Sequence, residues 1–418
     1  MRFIRRLIAY SLFCFAWPLL FAHPKLRSGI KRRLGLHPAS WPNFTKGPRI
    51  WLHGASAGDI LALKPLALEL RQLQPQVNIA LTTITNSGHA MAAKLGQVFS
   101  TITYAPYDLM GPVKRTINKL QPNVLVLEYT ELWPELIDSA HRAGTRLVLH
   151  NGRFSAERIS NYRILFALVG NLLERFDLLL MRDEYEAERA QRLGVAVNRI
   201  VITGNTKFDN LVIEVSANQL QELEKALAFP EKSHIWVAGS THEGEEELLL
   251  DVYVTLRKNH PLLKLVIAPR YTERASRIIS LAQRRNLKAR THSSTPAVSS
   301  DVVVIDTIGE LVACYSLADS VFVGGSFITR GGQNILEPAA CGKPVIFGPH
   351  MENFTDAVQA LLGRGGLQVA SSKQLTRILS DLIERESYRN ELGELARTQV
   401  SKIRGAAKRN AELILGLL

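Results

Sequence analysis

Arg49-Ile50-Trp51-Leu52-His53-Gly54-Ala55-Ser56-Ala57-Gly58-Asp59-Ile60 is the stretch that decides the fold. An apolar run closes at a small-residue turn, and an amphipathic segment opens at Ile60 and continues to Leu73. That pattern is a strand handing over to a helix, the repeating step of a parallel sheet covered by helices. The step recurs downstream, with strands predicted over residues 78–85, 101–105, 123–129, 146–151, 177–181 and 199–203 and helices over 60–73, 113–120, 131–143 and 156–175. Residues 209–231 lose the rhythm and turn polar and helical, as a connection between domains does. A second series of strands follows over 235–239, 264–268, 301–306, 320–324 and 344–347, with helices over 243–257 and 273–284, a polar surface loop over 290–300, and a helical tract over 373–418 able to pack across the domain junction.

The fold class is therefore α/β, with two Rossmann-like doubly wound domains. The predicted boundaries are a leader over 1–46, a first domain over 47–210, a connector over 211–232 and a second domain over 233–418. A length of 418 residues agrees, being more than one hydrophobic core usually serves. Open sheets of this kind bind ligands at the carboxyl ends of their strands, so the turns there are where chemistry is expected.

The net charge of +13 suits an anionic partner: a phospholipid surface, a phosphorylated substrate or nucleic acid. No aromatic-interleaved basic stripe and no nucleic-acid module is present, which argues against nucleic acid. The cysteines Cys14, Cys314 and Cys341 form no Cys-x-x-Cys pair, so neither a disulfide framework nor a structural zinc site is expected. Leu7 to Ala22 is an uncharged, mostly apolar run between Arg2, Arg5, Arg6 and Lys25, Arg27, Lys31, Arg32, Arg33. Signal peptide, short membrane anchor and buried helix are all open to it. The positive flank disfavours export, and the run is shorter than the ~20 residues of a comfortable span. A helix entering or lying in the cytoplasmic leaflet, on anionic lipid, is the expectation.

Gly324-Gly325-Ser326 followed by Gly331-Gly332-Gln333-Asn334-Ile335-Leu336-Glu337 carries the strongest chemical signal. Glycines let backbone amides approach a phosphate, a helix start adds positive potential, and Glu337 can accept hydrogen bonds from two ribose hydroxyls. A tight turn with Asn334 as an ordinary cap is the other reading. No Asp-x-Asp or His-x-x-x-His pattern ends a strand, so no metal is expected, and no other cofactor. Hydrolase elbows and phosphate loops are missing as well.

The glycine segment, Asp306-Thr307-Ile308-Gly309-Glu310-Leu311, Ser240-Thr241-His242-Glu243-Gly244-Glu245-Glu246, Ala268-Pro269-Arg270, Gly204-Asn205-Thr206-Lys207, Tyr129-Thr130-Glu131-Leu132-Trp133-Pro134 and Asn151-Gly152-Arg153 occur together in order. Through them nearly the whole chain resembles the Kdo transferases, which add 3-deoxy-D-manno-octulosonic acid to lipid A precursors. The resemblance implies the two-domain GT-B glycosyltransferase architecture, CMP-Kdo as donor, a lipid A precursor as acceptor at the cytoplasmic face of a bacterial inner membrane, and inversion by one displacement. It implies Asp59 as general base. It implies Lys207, Ser240, Thr241, Arg270, Gly309, Gly325, Gly332, Asn334 and Glu337 around the donor, and Ser56, Gly58, Glu128 and Glu131 near the acceptor or in support.

Two positions depart from the family pattern. Asp59 stands where the family has glutamate, about 1.5 Å shorter in reach, which matters for a positioned base. It can equally cap the helix that follows. Tyr129 replaces the first glutamate of the Glu-Thr-Glu-Leu-Trp-Pro motif, and Glu128, one residue earlier on a strand, faces the other way. A same-fold transferase for another activated acid sugar or acceptor, and a silent nucleotide- or lipid-binding paralogue, are the alternatives these changes leave. The oligomeric state is not legible.

Overall fold

The computed structural model describes residues 6–7, 9–11, 13–15, 18, 28–42, 44–211, 215–295 and 297–418. The chain divides into two compact units, Met1–Asn210 with Arg404–Leu418, and Leu211–Ile403.

In the first unit β1 (Arg49–His53), β2 (Asn78–Thr83), β3 (Thr101–Tyr104), β4 (Val124–Glu128), β5 (Arg146–Gly152), β6 (Leu178–Met181) and β7 (Ile200–Ile202) form a parallel sheet in the order β3-β2-β1-β4-β5-β6-β7. β2 and β4 are buried at every position, because helices cover both faces, and their sequences are accordingly continuous runs and not alternating ones. The helix Ala57–Leu73 returns the chain from β1 and buries Ile60, Leu63, Ala67 and Leu70, one stripe at helical spacing. Strand order reverses between β1 and β4, the switch point where such sheets leave a crevice for ligands.

Residues 404–418, which the sequence alone assigns to the second domain, join the first unit instead. The helix Ala406–Leu415 places Ala411 and Ile414 in one core with Ile60, Leu63 and Leu70. Asp209 fixes its start, its two carboxylate oxygens accepting from the amides of Gly405 and Ala407 at 2.6 and 2.7 Å. An apolar stripe says that a helix must bury one face, worth about 1.5–3 kcal/mol for a side chain such as Ile414. It does not say which core receives it.

The second unit repeats the plan. β8 (His234–Thr241), β9 (Leu263–Pro269), β10 (Ala289–Thr291), β11 (Val302–Val304), β12 (Ser320–Val323), β13 (Val345–Phe347) and β14 (Gly366–Gln368) run parallel in the order β10-β11-β9-β8-β12-β13-β14, with the switch between β8 and β12. β10 falls partly in the predicted surface loop, and β14 was not expected. Both have three residues, too few to show a period. The helix Ala217–Leu227, inside the predicted connector, packs into this unit through Leu223 and Leu227, and Arg290 Nη2 donates to the Leu227 carbonyl at 3.0 Å.

Half of the apolar stretch from Leu7 to Ala22 lies outside the described residues. Among those described, no helix is long and apolar enough to cross a membrane.

Candidate active site

At the switch point of the first unit, the turn after β1 runs through Gly54 and Ser56 into the helix that carries Asp59. Ser56 donates its amide hydrogen to Asp59 Oδ2 at 2.8 Å, one half of a capping box. Asp59 is thus held at the first turn of a helix, half-exposed, and among the described residues its other oxygen takes no hydrogen bond. Gly58 beside it is exposed.

One step back along the chain, His53 is buried at the end of β1. Thr82 Oγ1 accepts from Trp51 Nε1 at 2.8 Å and lies 2.9 Å from His53 Nδ1. His53 Nε2 faces Glu131 Oε2 at 3.8 Å, and the same oxygen accepts from Trp133 Nε1 at 2.8 Å. Burial pushes Glu131 up, but the nearby His53 ring and the hydrogen bond from Trp133 outweigh it and hold the carboxyl below the usual range. His53 and Trp133 form part of the wall of a cavity of about 620 Å³, with Ile84, Ala105, Pro106 and Tyr107 among its apolar lining. Thr85, also on the wall, donates to the Ala55 carbonyl at 3.2 Å and so ties the cavity to the Asp59 turn. The Tyr107 ring, also on the wall, meets Phe13 of the N-terminal segment at 4.9 Å.

Glu128 is fully buried at the end of β4 and belongs to the sheet, not to the cavity wall. Its carboxylate lies 2.5 Å from His150 Nδ1 and accepts from Asn151 Nδ2 at 2.8 Å. Asn151 also donates to Thr206 Oγ1, which donates on to the carbonyl of Ala62 in the helix behind Asp59. Tyr129 and Asn151 both have positive φ, 54° and 50°, at the carboxyl ends of adjacent strands. Such strain persists where surrounding contacts enforce it, most often beside a site. Lys207, the neighbour of Thr206, stands over the Tyr129 ring at 5.3 Å, so this predicted donor ligand is carried by the first unit.

In the second unit the switch point gathers Ser240, Thr241, Arg270, Gly325, Gly332, Asn334 and Glu337. Ser240 has a φ of 54° and sits where the β8–β9 register slips between Gly239 and Thr241. The glycine turn after β12 is not empty of charge. Glu245, fully buried, accepts from the amides of Gly325, Ser326 and Phe327 at 2.7, 3.0 and 3.0 Å and from His242 at 3.0 Å. The amides expected to face a phosphate are therefore satisfied by a carboxylate of the chain itself. Gly325 and Gly332 are left-handed, a conformation that favours glycine, and a Cβ on Gly332 would stand 2.3 Å from Met351 Sδ, so the end of that side chain would have to move.

The polar groups left around this turn are side chains. Glu337 accepts from Asn334 Nδ2 at 3.0 Å, and burial raises its pKa against the opposing effects of Asn334 and Arg270. His242 is pushed low by burial and by Arg330, with Glu246 opposing and Arg270 and Arg274 adding to the depression. Arg274 is committed to Glu246, its Nε and Nη2 donating at 3.2 and 3.0 Å, whereas Arg270 and Arg330 are exposed and make no ion pair among the described residues. Gly309 lies on an exposed loop with no atom within 4 Å of its Cβ position. Sequence reasoning gave no role to His53, His150, Glu245 or Arg330. His53, ending the strand at the decisive turn, was the one with a positional signal.

A family profile described as 3-deoxy-D-manno-octulosonic-acid transferase (kdotransferase) matches residues 28–210. Over 408 residues the chain is 31% identical to the 3-deoxy-D-manno-octulosonic acid transferase of Haemophilus influenzae, covering 96% of this chain and 94% of that one. It is 32% identical over 372 residues to the enzyme of the same name from Chlamydophila psittaci, covering 88% and 84%. Among solved structures, a glycosyltransferase from Rickettsia africae superposes with a TM-score of 0.57 at 11% identity, over 89% of this chain and 99% of that one, a likeness of fold alone.

Proposed function

Because the chain belongs to the 3-deoxy-D-manno-octulosonic-acid transferase family, it is a glycosyltransferase, and we propose that it moves Kdo from CMP-Kdo to a lipid A precursor by a single inverting displacement at the inner face of a bacterial membrane. The observation that carries the acceptor side is the apolar cavity of the first unit. One wall, His53, begins the turn that holds Asp59, and another, Tyr107, touches the N-terminal segment. An acyl chain entering there sets its sugar headgroup beside Asp59, within the size range of small-molecule pockets.

Asp59 takes the proton from the attacking hydroxyl. Its fixed oxygen keeps the turn, and its other oxygen accepts the proton, a role worth about 10²–10⁴ in rate. The second unit holds the donor. Glu337 accepts the ribose hydroxyls, and Arg270 and Arg330 neutralise the phosphate and the sugar carboxylate as the bond to phosphate breaks. Glu245 plays the structural part in this scheme: by filling the turn it fixes Gly325 and Gly332 and leaves the anion to the arginine side chains. Lys207, over the Tyr129 ring of the first unit, offers a further mobile positive charge for an anionic group of the substrates.

The test is turnover by the purified full chain with CMP-Kdo and a tetraacylated lipid A precursor, read as product mass, beside the same acceptor stripped of acyl chains. Transfer to the acylated acceptor, lost in Asp59→Ala, is expected. Equal transfer to both acceptors would remove the cavity from the reading, and no transfer to either would remove the reaction.

A further inference from the structure

The helix Ile159–Val169 has no buried residue. Its inner side is nevertheless seated: Ile159, Tyr162, Phe166 and Val169 pack against the core of the first unit, and the Tyr162 ring meets Phe154 at 5.5 Å. The outer side carries Ile164 and Leu168, which lie four residues apart on one face and are 62% and 68% exposed. No acidic residue occurs in the helix, and Arg153, Arg158 and Arg163 are exposed at its rim without an ion pair among the described residues. An apolar ridge fringed by arginine, on a helix held rigidly from behind, is poorly matched to water.

We infer that this helix is a membrane-contact surface, lying in the plane of an anionic bilayer with Ile164 and Leu168 among the acyl chains and the arginines on headgroup phosphates. Continuity supports that occupant. Val169 lines a cavity of about 180 Å³ together with Arg6, Ala9 and Tyr10, so the helix adjoins the N-terminal segment, where Leu7 and Phe15 are 59% and 86% exposed. Two separate parts of the chain thus bring exposed apolar side chains to one neighbourhood, and the helix adds the arginines of its rim, Arg6 being held by Glu135. Size favours a bilayer over a second protein: two aliphatic side chains fall far short of the roughly 800 Å² per partner of a stable protein interface, whereas an interfacial helix needs only a shallow apolar face and nearby positive charge.

This surface goes beyond the transfer reaction, and its test uses neither donor nor acceptor, so its failure and the failure of that reaction are distinguishable. Leu168→Cys, made in a Cys14→Ser, Cys341→Ser background and labelled with bimane, is mixed with vesicles of phosphatidylethanolamine and phosphatidylglycerol, and with vesicles of phosphatidylcholine alone. Blue-shifted emission on the anionic vesicles, quenched by brominated acyl chains, is expected. Ile164→Glu with Leu168→Glu in the full chain should weaken vesicle partitioning by about tenfold or more. The probe reports the helix directly, so binding through the leader alone would leave its emission unchanged and would overturn the inference. A blue shift that grows with protein concentration in the absence of lipid would assign the face to a second copy and overturn it equally.

Discussion

Ser56 donates its backbone amide hydrogen to Asp59 Oδ2 at 2.8 Å. Capping and base catalysis are not rivals at this residue, because a carboxylate has two oxygens and the cap uses one. Asp59→Asn keeps the side chain's shape while removing the base, so kcat should fall by about 10²–10⁴ with little change in fold. Asp59→Ala also loses the cap and should cost about 1 kcal/mol of stability. Asp59→Glu satisfies the same capping box, for which glutamate is favoured, and should retain transfer. Single-turnover rates for the three variants, set beside urea midpoints, separate the two functions.

Glu128 serves the sheet. Its replacement by alanine leaves the buried Nδ1 of His150 and the Asn151 amide without their shared partner and loosens the chain of contacts to Thr206 and Ala62. A loss of about 3 kcal/mol in unfolding free energy is expected. Protein that remains folded should still bind nucleotide, since Glu337, Arg270 and Arg330 lie in the other unit, with at most the small loss that displacing Lys207, beside Thr206, would bring. Denaturation and CMP titration of the same preparation check both halves.

The alternation of strands and helices was legible because each element is buried by its own pattern, and the period of the pattern is local. What stayed hidden was partnership. Ala411 and Ile414 announce an apolar face without naming Ile60 and Leu63 as its receivers. Glu245 looks like one of several acidic residues opening a helix, and only the folded chain brings it to the amides of Gly325, Ser326 and Phe327. The displacement of Glu128 from the missing glutamate was readable, since strand residues alternate. Its pairing with His150 depended on the register of β4 against β5.

Glu245→Ala unties the glycine turn. The three amides lose a charged acceptor, and Gly325 and Gly332 lose the anchor that holds their left-handed conformation. Stability should fall by about 2–4 kcal/mol, and KM for the donor should rise by tenfold or more while KM for the acceptor holds. Glu245→Gln, with one carbonyl oxygen in place of two, should fall between. A loss of kcat with donor KM unchanged would mean that the turn is remote from the donor.

His234 gives the second unit a pH dependence with a defined direction. It sits at the start of β8, its Nε2 3.3 Å from Ser320 Oγ and its Nδ1 3.9 Å from Asp319. Burial pushes its pKa from 6.5 down to about 4 in spite of Asp319, with Arg389 and His260 adding to the depression. Between those values the unfolded chain takes up a proton that the folded chain refuses, so stability is full above pH 6.5 and declines as pH falls towards about 4. The slope is about 1.4 kcal/mol per pH unit at most, and the whole loss about 3 kcal/mol. His37, half-buried, stacked on Trp41 and also depressed to about 4 by desolvation, acts in the same sense in the first unit. His234→Gln should therefore flatten only part of the decline in unfolding free energy between pH 6.5 and 4. Urea titrations at half-unit steps of pH would show it, and a variant as steep as the wild type would mean that His234 is protonated in the folded chain.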